Sequence, residues 1–242
     1  MGNEFFHVNE IYSCLQGEGY NAGKPAVLVR FQSCNLNCSW CDSLYAIVRA
    51  GREDSTTDGR CRNKMDTDAV VHVIKKFRDI RHLIFTGGEP VLQNFHLIKK
   101  ALDSTYTAEV ESNATLIYHK QHRGFPEDAY SHYQWNLSPK LSNAGQNINP
   151  EALQFWSDLG RKHPKVFFKF VVTRENAGRD MEEIRELVTC YAIDAERVFL
   201  MPEGTTVDSQ VRNEWLYNFC LKYNYRYSPR LHILLFDNRR GV

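Results

Sequence analysis

The chain has 242 residues, 43% of them apolar and 24% charged, with a formal net charge of +1. A chain of this size is long enough for one α/β domain that buries roughly three-quarters of its unfolded surface. The near-zero charge leaves no electrostatic footprint for wrapping nucleic acid, which favours a small-molecule substrate. No apolar run approaches the ~20 residues of a membrane span, and no signal peptide opens the chain. The Met1-Gly2 start has Phe6 where myristoylation needs Ser or Thr. Seven cysteines, an odd number with three of them clustered, point to a reducing cytoplasm rather than a disulfide framework. The glycosylation-like triplets at Asn113 and Asn136 are then chance matches.

In chain order, the apolar-rich segment Ile11–Leu15 leads into Gln16-Gly17-Glu18-Gly19, and Arg30 lies in a predicted strand Ala26–Phe31. An amide, a carboxylate and exposed backbone together suit the donor–acceptor edge of a pterin or guanine-like ring. Arg30 suits a substrate carboxylate, which a guanidinium pairs bidentately. The plain alternatives are an ordinary turn and a surface ion pair. Next comes Cys34-x3-Cys38-x2-Cys41, followed by Asp42-Ser43. Thiolates are soft ligands that select iron–sulfur clusters, zinc or copper(I). Three of them on a [4Fe–4S] cluster leave one iron open to a substrate or cofactor. Structural zinc needs a fourth ligand, for which Cys61 is the candidate. Free cytosolic thiols are the third reading. The spacing resembles that of radical S-adenosylmethionine enzymes.

A polar stretch, 51–64, follows and, like 121–131 further on, is either a mobile lid or a solvated loop, the loop being the favoured reading. Val70, Ile74 and Phe77 mark a helix face, and His82–Thr86 a strand that ends in Thr86-Gly87-Gly88-Glu89-Pro90. Two glycines at a strand end let a ligand approach the backbone, and Glu89 or exposed carbonyls there suit a cationic amine. A helix follows from near Val91, with Phe95, Ile98 and Leu102 on its face, and then a strand Thr107–Ser112. The segment Glu109-Val110-Glu111-Ser112-Asn113-Ala114-Thr115 looks like the Glu-Thr-Asn-Gly-Thr of radical enzymes, with Ala114 in place of glycine.

Residues 121–131 form a second polar gap, read as a loop, before a strand His132–Ser138 and the sequence Ser138-Pro139-Lys140. Lys140 is either a solvated rim charge or a donor to a carboxylate. Asn149-Pro150 caps a helix that Gly160 is expected to stop. The strand Val166–Thr173 carries Lys169, a mid-strand charge that needs a partner and is expected to point into a barrel mouth. Met181, Ile184, Leu187 and Val188 make a third helical stripe, and Val211, Trp215 and Phe219 a fourth. Strands are expected at Arg197–Met201 and Leu231–Phe236, the latter holding His232 as a core or rim histidine rather than a catalytic one. Cys14, Cys190 and Cys220 read as packed thiols. Strands alternating with helices imply parallel βα units in an α/β fold with an open or partly closed barrel, as one domain over residues 1–242.

Taken together, Leu15–Gly19, Arg30, Cys34/Cys38/Cys41-Asp42-Ser43, Thr86–Pro90, Ser138–Lys140 and the terminal Asn238-Arg239-Arg240-Gly241-Val242 resemble the 7-carboxy-7-deazaguanine synthase family. The resemblance implies a partial, TIM-like β/α barrel of the radical S-adenosylmethionine type. It implies a cytoplasmic lyase, a homodimer, that converts 6-carboxy-5,6,7,8-tetrahydropterin to 7-carboxy-7-deazaguanine and ammonia for queuosine and related deazapurine pathways. In such a family a 5′-deoxyadenosyl radical takes hydrogen from the carbon bearing the carboxylate, the ring contracts, and the cofactor is regenerated. Flavodoxin or ferredoxin would reduce the cluster.

By the same resemblance Leu15, Gln16, Gly17, Arg30 and Thr86 contact substrate, and Val242 folds over the site with its carboxylate on the amine edge. Gly88, Ser138, Pro139 and Lys140 take S-adenosylmethionine, as does a second segment, Met201-Pro202-Glu203-Gly204. Ser43 takes magnesium, a hard ion suited to a hydroxyl. The rival readings are a glycyl-radical activase, which shares the cysteine spacing but needs a protein groove, and a zinc-stabilised binding module.

Overall fold

The structure, a computed structural model, describes residues 4–47 and 63–242. Chain order begins with strands β1 (Phe5–Leu15), β2 (Pro25–Phe31) and β3 (Asn63–Asp66), then helix α1 (Thr67–Lys75) and β4 (His82–Gly87). It continues through α2 (Phe95–Ala101), β5 (Thr107–Ser112), α3 (Tyr118–Gln121), β6 (Tyr133–Leu137), α4 (Pro150–Lys162), β7 (Val166–Val172) and α5 (Ala177–Cys190). The last elements are β8 (Val198–Pro202), α6 (Val207–Gln210), α7 (Glu214–Tyr223), β9 (Arg226–Tyr227) and α8 (Leu231–Phe236). Among the described residues no helix is long and apolar enough to cross a membrane.

Among the described residues the strands form one nine-stranded sheet in the order β3-β1-β2-β4-β5-β6-β7-β8-β9. From β2 to β9 every neighbouring pair is parallel, while β1 runs antiparallel to both β2 and β3. Among the described residues the sheet ends at β3 and β9 and does not close, so the α/β barrel is partial, as expected.

Period-two alternation gives this sheet two unlike faces. One carries Val27, Val29, Leu83, Phe85, Val110, Trp135, Phe168, Phe170 and Val172, all buried in the main core with α2 and α4. Phe85 stacks on Phe95 of α2 at 5.0 Å, and Trp135 lies 4.7 Å from Trp156 of α4, ring centre to ring centre. Each such fully buried ring contributes about 1.5–3 kcal/mol. The other face lines the lumen and is polar, with His82, Glu109, Gln134, Asn136 and Lys169 all buried. A TIM-type barrel usually fills its lumen with branched apolar side chains; this one does not.

Several elements differ from the sequence expectation. Leu231–Phe236 is a helix, its turn closed by Ile233 and Leu234 donating to the Arg230 carbonyl at 3.0 and 3.1 Å. A six-residue apolar run has no decisive period, and here only Ile233 is buried in the core. Asn149 caps α4 as expected, accepting from Ala152 N, but Gly160 lies within the helix rather than ending it. It is buried against Val166 and Phe168, where a Cβ would stand in ordinary contact at 3.6–3.7 Å. Val91 falls in a single 3₁₀ turn, and α2 begins only at Phe95. The gap 121–131 is a short helical connection anchored by buried Phe125, Ala129 and Tyr130 rather than an open loop. The polar stretch 51–64 lies, up to residue 62, outside the described residues, and so does Cys61.

Candidate active site

At the carboxyl ends of β2 and β4 to β8 one cavity opens, the position where barrel enzymes place their chemistry. Cys34, Cys38 and Cys41 line it, each a free and partly buried thiol. Burial pushes all three thiols up, Cys34 to about 11. The loop that carries them is irregular but tied down along its length. Ser39 N donates to Ala144 O at 3.0 Å, Trp40 Nε1 to Asn143 Oδ1 at 3.2 Å, and Gln146 Nε2 to Asn37 O at 2.7 Å.

Among the described residues no three His, Cys, Asp or Glu side chains converge where a single ion would sit. One zinc ion needs that convergence. A four-iron cluster gives each thiolate its own iron, and three thiols lining one cavity suit it.

The segment after β5 reaches this loop. Asn113 Nδ2 donates to Asn35 Oδ1 at 2.9 Å and approaches Cys34 Sγ at 3.8 Å, and Asn35 Nδ2 donates to Thr115 Oγ1 at 2.8 Å. Ala114 adopts φ +62°, the left-handed turn that a glycine would take there. That conformation costs an alanine about 1–2 kcal/mol. Ala114→Gly is therefore expected to leave activity unchanged and to shift stability by under about 1 kcal/mol, relief of the strain being offset by glycine's entropy and by loss of a methyl buried in the core. A loss above about 2 kcal/mol in a melting curve would contradict the strain.

The glycines of Thr86–Pro90 are needed chiefly because protein, rather than ligand, crowds them. A Cβ on Gly87 would lie 2.1 Å from Phe31 O, and one on Gly88 2.0 Å from Ser33 O. The turn is thus pressed against the exit of β2 just before Cys34. Glu89 is fully buried and committed within the protein. It accepts from Val91 N at 3.0 Å, Ser112 Oγ at 2.9 Å and Asn113 N at 2.7 Å. Burial outweighs these donors and pushes its carboxyl up to about 6. Glu89 does not line the cavity, which leaves exposed carbonyls as the remaining candidate for a cationic amine at this strand end.

A charged network lines the same cavity and reaches Asp42, next to Cys41. Lys169 donates to Glu18 and, at 2.8 Å, to Glu111 Oε2. Arg230 bridges Glu18 at 3.2 Å and Asp42. Burial works against ionisation of Glu18, yet Lys169, Arg230 and His232 hold its carboxyl far below the usual range. Glu111 goes the other way: burial, with Glu109 and Glu18 nearby, pushes its carboxyl up despite Lys169. Two carboxylates on one lysine are thereby split into a firmly ionised group and one that takes a proton more readily.

Ser43 Oγ donates to Asp42 Oδ1 at 2.9 Å and faces the cavity. Arg30 Nε donates to Glu10 Oε1 at 2.7 Å. The C-terminal segment closes one side, with Arg240 stacked 3.7 Å from the centre of the Tyr45 ring.

The residues expected from sequence gather here. Leu15, Gln16, Gly17, Arg30, Thr86 and Val242 line the same cavity as the three cysteines, and so do Ser43, Gly88, Ser138, Lys140 and Met201. Pro139, Pro202, Glu203 and Gly204 stand outside the lining. Pro202 is buried at the end of β8, and Gly204 presents its carbonyl to Arg230 Nη1 at 2.6 Å. Lys140 reaches Ser138 Oγ at 2.9 Å and lies over Trp40 at 5.3 Å, inside the site rather than on a solvated rim. His232 lies on α8 and faces the cavity from beneath Gly17.

Tyr12, Cys14, Glu111, Arg230 and Tyr45 also face the cavity. Cys14 and Gln16 alternate along β1 and its exit, which was the available signal. Of the thiols expected to be packed, Cys220 is buried, Cys14 borders the cavity and Cys190 is exposed.

No protein-family model matches the chain. The 7-carboxy-7-deazaguanine synthase of Pyrobaculum aerophilum is 31% identical over 240 residues, covering 97% of this chain and 96% of its own length. Its namesake from Halobacterium salinarum is 31% identical over 96% of this chain and 90% of its own, and that of Escherichia coli K12 27% over 94% and 96%. The crystal structure of QueE from Escherichia coli superposes with a TM-score of 0.69 at 24% identity, over 94% of this chain and 95% of that one, and so shares its fold. With near-complete coverage in both directions, and with three thiols and the Gln16-Gly17-Glu18 turn on one cavity, the chain belongs to the 7-carboxy-7-deazaguanine synthase family.

Proposed function

We propose that residues 1–242 act as one radical S-adenosylmethionine domain. It converts 6-carboxy-5,6,7,8-tetrahydropterin to 7-carboxy-7-deazaguanine, releasing ammonia, as a step towards queuosine or a related deazapurine. The observation that carries this reading is the convergence on one cavity of Cys34, Cys38 and Cys41 with Gln16–Glu18, Arg30, Thr86 and Val242. Cys34, Cys38 and Cys41 would hold the cluster. Gly88, Ser138, Lys140 and Met201 would meet S-adenosylmethionine, with Pro139, Pro202, Glu203 and Gly204 shaping the wall behind. When bound, the cluster and S-adenosylmethionine supply the one-electron chemistry that opens the reaction.

The protein's own part is placement and charge. Arg30 offers a guanidinium to the substrate carboxylate, beside Glu10, which must share it. Glu18, held ionised, is an acceptor for the amine edge of the pterin, and Glu111 is the nearby carboxyl able to carry a proton. Ser43 supplies a hydroxyl for magnesium. We further read the protein as a cytoplasmic homodimer that takes electrons from flavodoxin or ferredoxin and contacts neither nucleic acid nor membrane.

The test is an anaerobic incubation of the reconstituted protein with reductant, S-adenosylmethionine, magnesium and the pterin, read by mass spectrometry. A protein with Cys34, Cys38 and Cys41 all changed to Ala serves as the blank. The expected result is a deazaguanine carboxylate absent from the blank. Formation of 5′-deoxyadenosine alone would keep the radical machinery and overturn the substrate. A colourless, zinc-containing protein that forms neither product would overturn the whole reading.

A further inference from the structure

Below the cavity, the polar lumen of the barrel is built around one carboxylate. Glu109 precedes Glu111 by two residues on β5, points into the same lumen, and is 0% exposed. Three amide donors and a histidine ring surround it. Its Oε1 accepts from Gln16 Nε2, and its Oε2 accepts from Asn21 Nδ2 at 2.6 Å and Gln134 Nε2 at 3.1 Å. His82 Nε2 stands 3.2 Å from Oε2. Lys24 Nζ lies 3.3 Å from His82 Nδ1, and an ammonium can only donate. Thr107 Oγ1 lies closer to Nδ1, at 2.8 Å, and a hydroxyl donates or accepts there, so His82 presents Nε2 to Glu109 in either tautomer.

The consequence falls on Gln16. Its Nε2 donates to Glu109 and, at 3.2 Å, to Glu111 Oε1, while its Oε1 accepts from Glu18 N at 3.2 Å. Its main-chain N–H and C=O are held by Lys24 O and Gly23 N, both at 2.8 Å. Every donor of Gln16 is thus spent inside the protein, so its amide can meet a ring edge only through the second lone pair of Oε1. What it does is fix the turn that follows.

That turn is the seat of the other half of the site. Gly17 O accepts from Leu231 N at 2.9 Å, and Gly17 packs so tightly on His232 that a Cβ would fall 2.4 Å from Nδ1. Gly19 N donates to Ser228 Oγ at 2.9 Å, and Glu18 pairs with Lys169 and Arg230. A displaced amide at Gln16 would tilt Glu18, His232 and the C-terminal segment together. Stability alone gives no reason for a carboxylate here, since an apolar group of similar shape usually serves a core as well.

We infer that Glu109 is a positioning residue for the substrate-facing turn 16–19, acting through the amide of Gln16. The inference rests on the substrate reading above. It is tested by anaerobic calorimetry of the reconstituted protein with 6-carboxytetrahydropterin and, separately, with S-adenosylmethionine. The proteins compared are the wild type, Glu109→Gln, Gln16→Met and the double variant.

Glu109→Gln is expected to weaken pterin binding about ten-fold, the effect of losing a hydrogen bond to a charged group. S-Adenosylmethionine binding should stay as in the wild type. Gln16→Met should weaken the pterin by a similar factor, and adding Glu109→Gln to it should change nothing further. Should Glu109→Gln fail to fold, Gln16→Met carries the test, because Glu109 then keeps Asn21, Gln134 and His82.

Unchanged pterin affinity, equal weakening of both ligands, or additive losses in the double variant would each overturn the inference while leaving the substrate reading in place. A wild-type protein that does not bind the pterin would overturn the substrate reading, and the inference with it.

Discussion

Lys169→Met is expected to lower kcat/KM about 100-fold or more, equivalent to roughly 2.7 kcal/mol of transition-state stabilisation. Methionine keeps an unbranched apolar stem, one atom shorter, and removes the ammonium with its charge and its donors to Glu18 and Glu111. Glu18 would keep Arg230 at 3.2 Å, but Glu111 would keep only the neutral donors Asn136 at 2.7 Å and Gln16 at 3.2 Å. Stranding one partner of a buried ion pair costs roughly 3–5 kcal/mol. Both carboxylate side chains retain 17% exposure and other donors, which places the loss near the lower end.

The pH dependence fixes the cause. Glu111 is already pushed up by burial, and losing the lysine pushes it further in the same direction. A carboxyl raised in the folded state stabilises most when it is protonated and loses that contribution as pH rises through its folded value. The stability deficit of Lys169→Met against wild type should therefore shrink from pH 7 to pH 5 in urea titrations. The double variant Lys169→Met/Glu111→Gln should recover stability at pH 7 without recovering activity. A deficit that does not change with pH would mean that Lys169 acts by packing, and near-wild-type turnover would remove it from the site.

The sequence made Lys169 legible for the same reason that it matters: one charge within Phe167–Phe170, in a strand buried on both faces, has to meet a counter-charge inside. The three thiols were legible from spacing alone, since one short loop carries them. The partners of Lys169 were harder to read. Glu109 and Glu111 are two apart on β5 and must share a face, but local sequence does not say that this face is a lumen. The ion pair Arg230–Asp42 joins residues 188 positions apart, and only the folded sheet brings them together.

The unannounced strand β1 and the helix α8, expected as a strand, also have local causes. A register shift between Val8 and Glu10 buries Val8 and Asn9 in succession and hides the alternation that would have announced the first half of β1. On α8, the run Leu231–Phe236 is apolar at nearly every position, so it satisfies either period. The choice is made by Pro229 and by the docking of Leu231 N on Gly17 O. The second half of the site thus hangs on an element whose type tertiary contacts decide.

Gly88→Ala is expected to empty the cluster site as effectively as loss of a cysteine. The new Cβ would lie 2.0 Å from Ser33 O, 2.4 Å from Ser33 C and 2.9 Å from Cys34 Cβ. The first two are backbone atoms with no rotamer to change. Ser33 is already at φ +80°, and its N–H is held by Ala46 O at 2.8 Å. From the other side, Gly88 N donates to Phe31 O at 3.2 Å and Glu89 N to Ser33 O at 2.8 Å, so the turn cannot retreat without breaking these bonds. The strain is then transmitted to Cys34, the next residue along. A displacement near 1 Å at a reacting centre costs roughly 100-fold in rate, and a misplaced thiol also loses iron.

The variant should take up less iron on reconstitution, lose its brown colour, and show at least that fall in turnover. Gly178→Ala is the control, since a Cβ there meets nothing within 4 Å in the first turn of α5. It should keep full iron and gain about 0.5–1 kcal/mol. If Gly88→Ala loaded iron and turned over like the control, the two backbones must be able to part. The glycine pair would then serve ligand approach rather than the contact that seats Cys34.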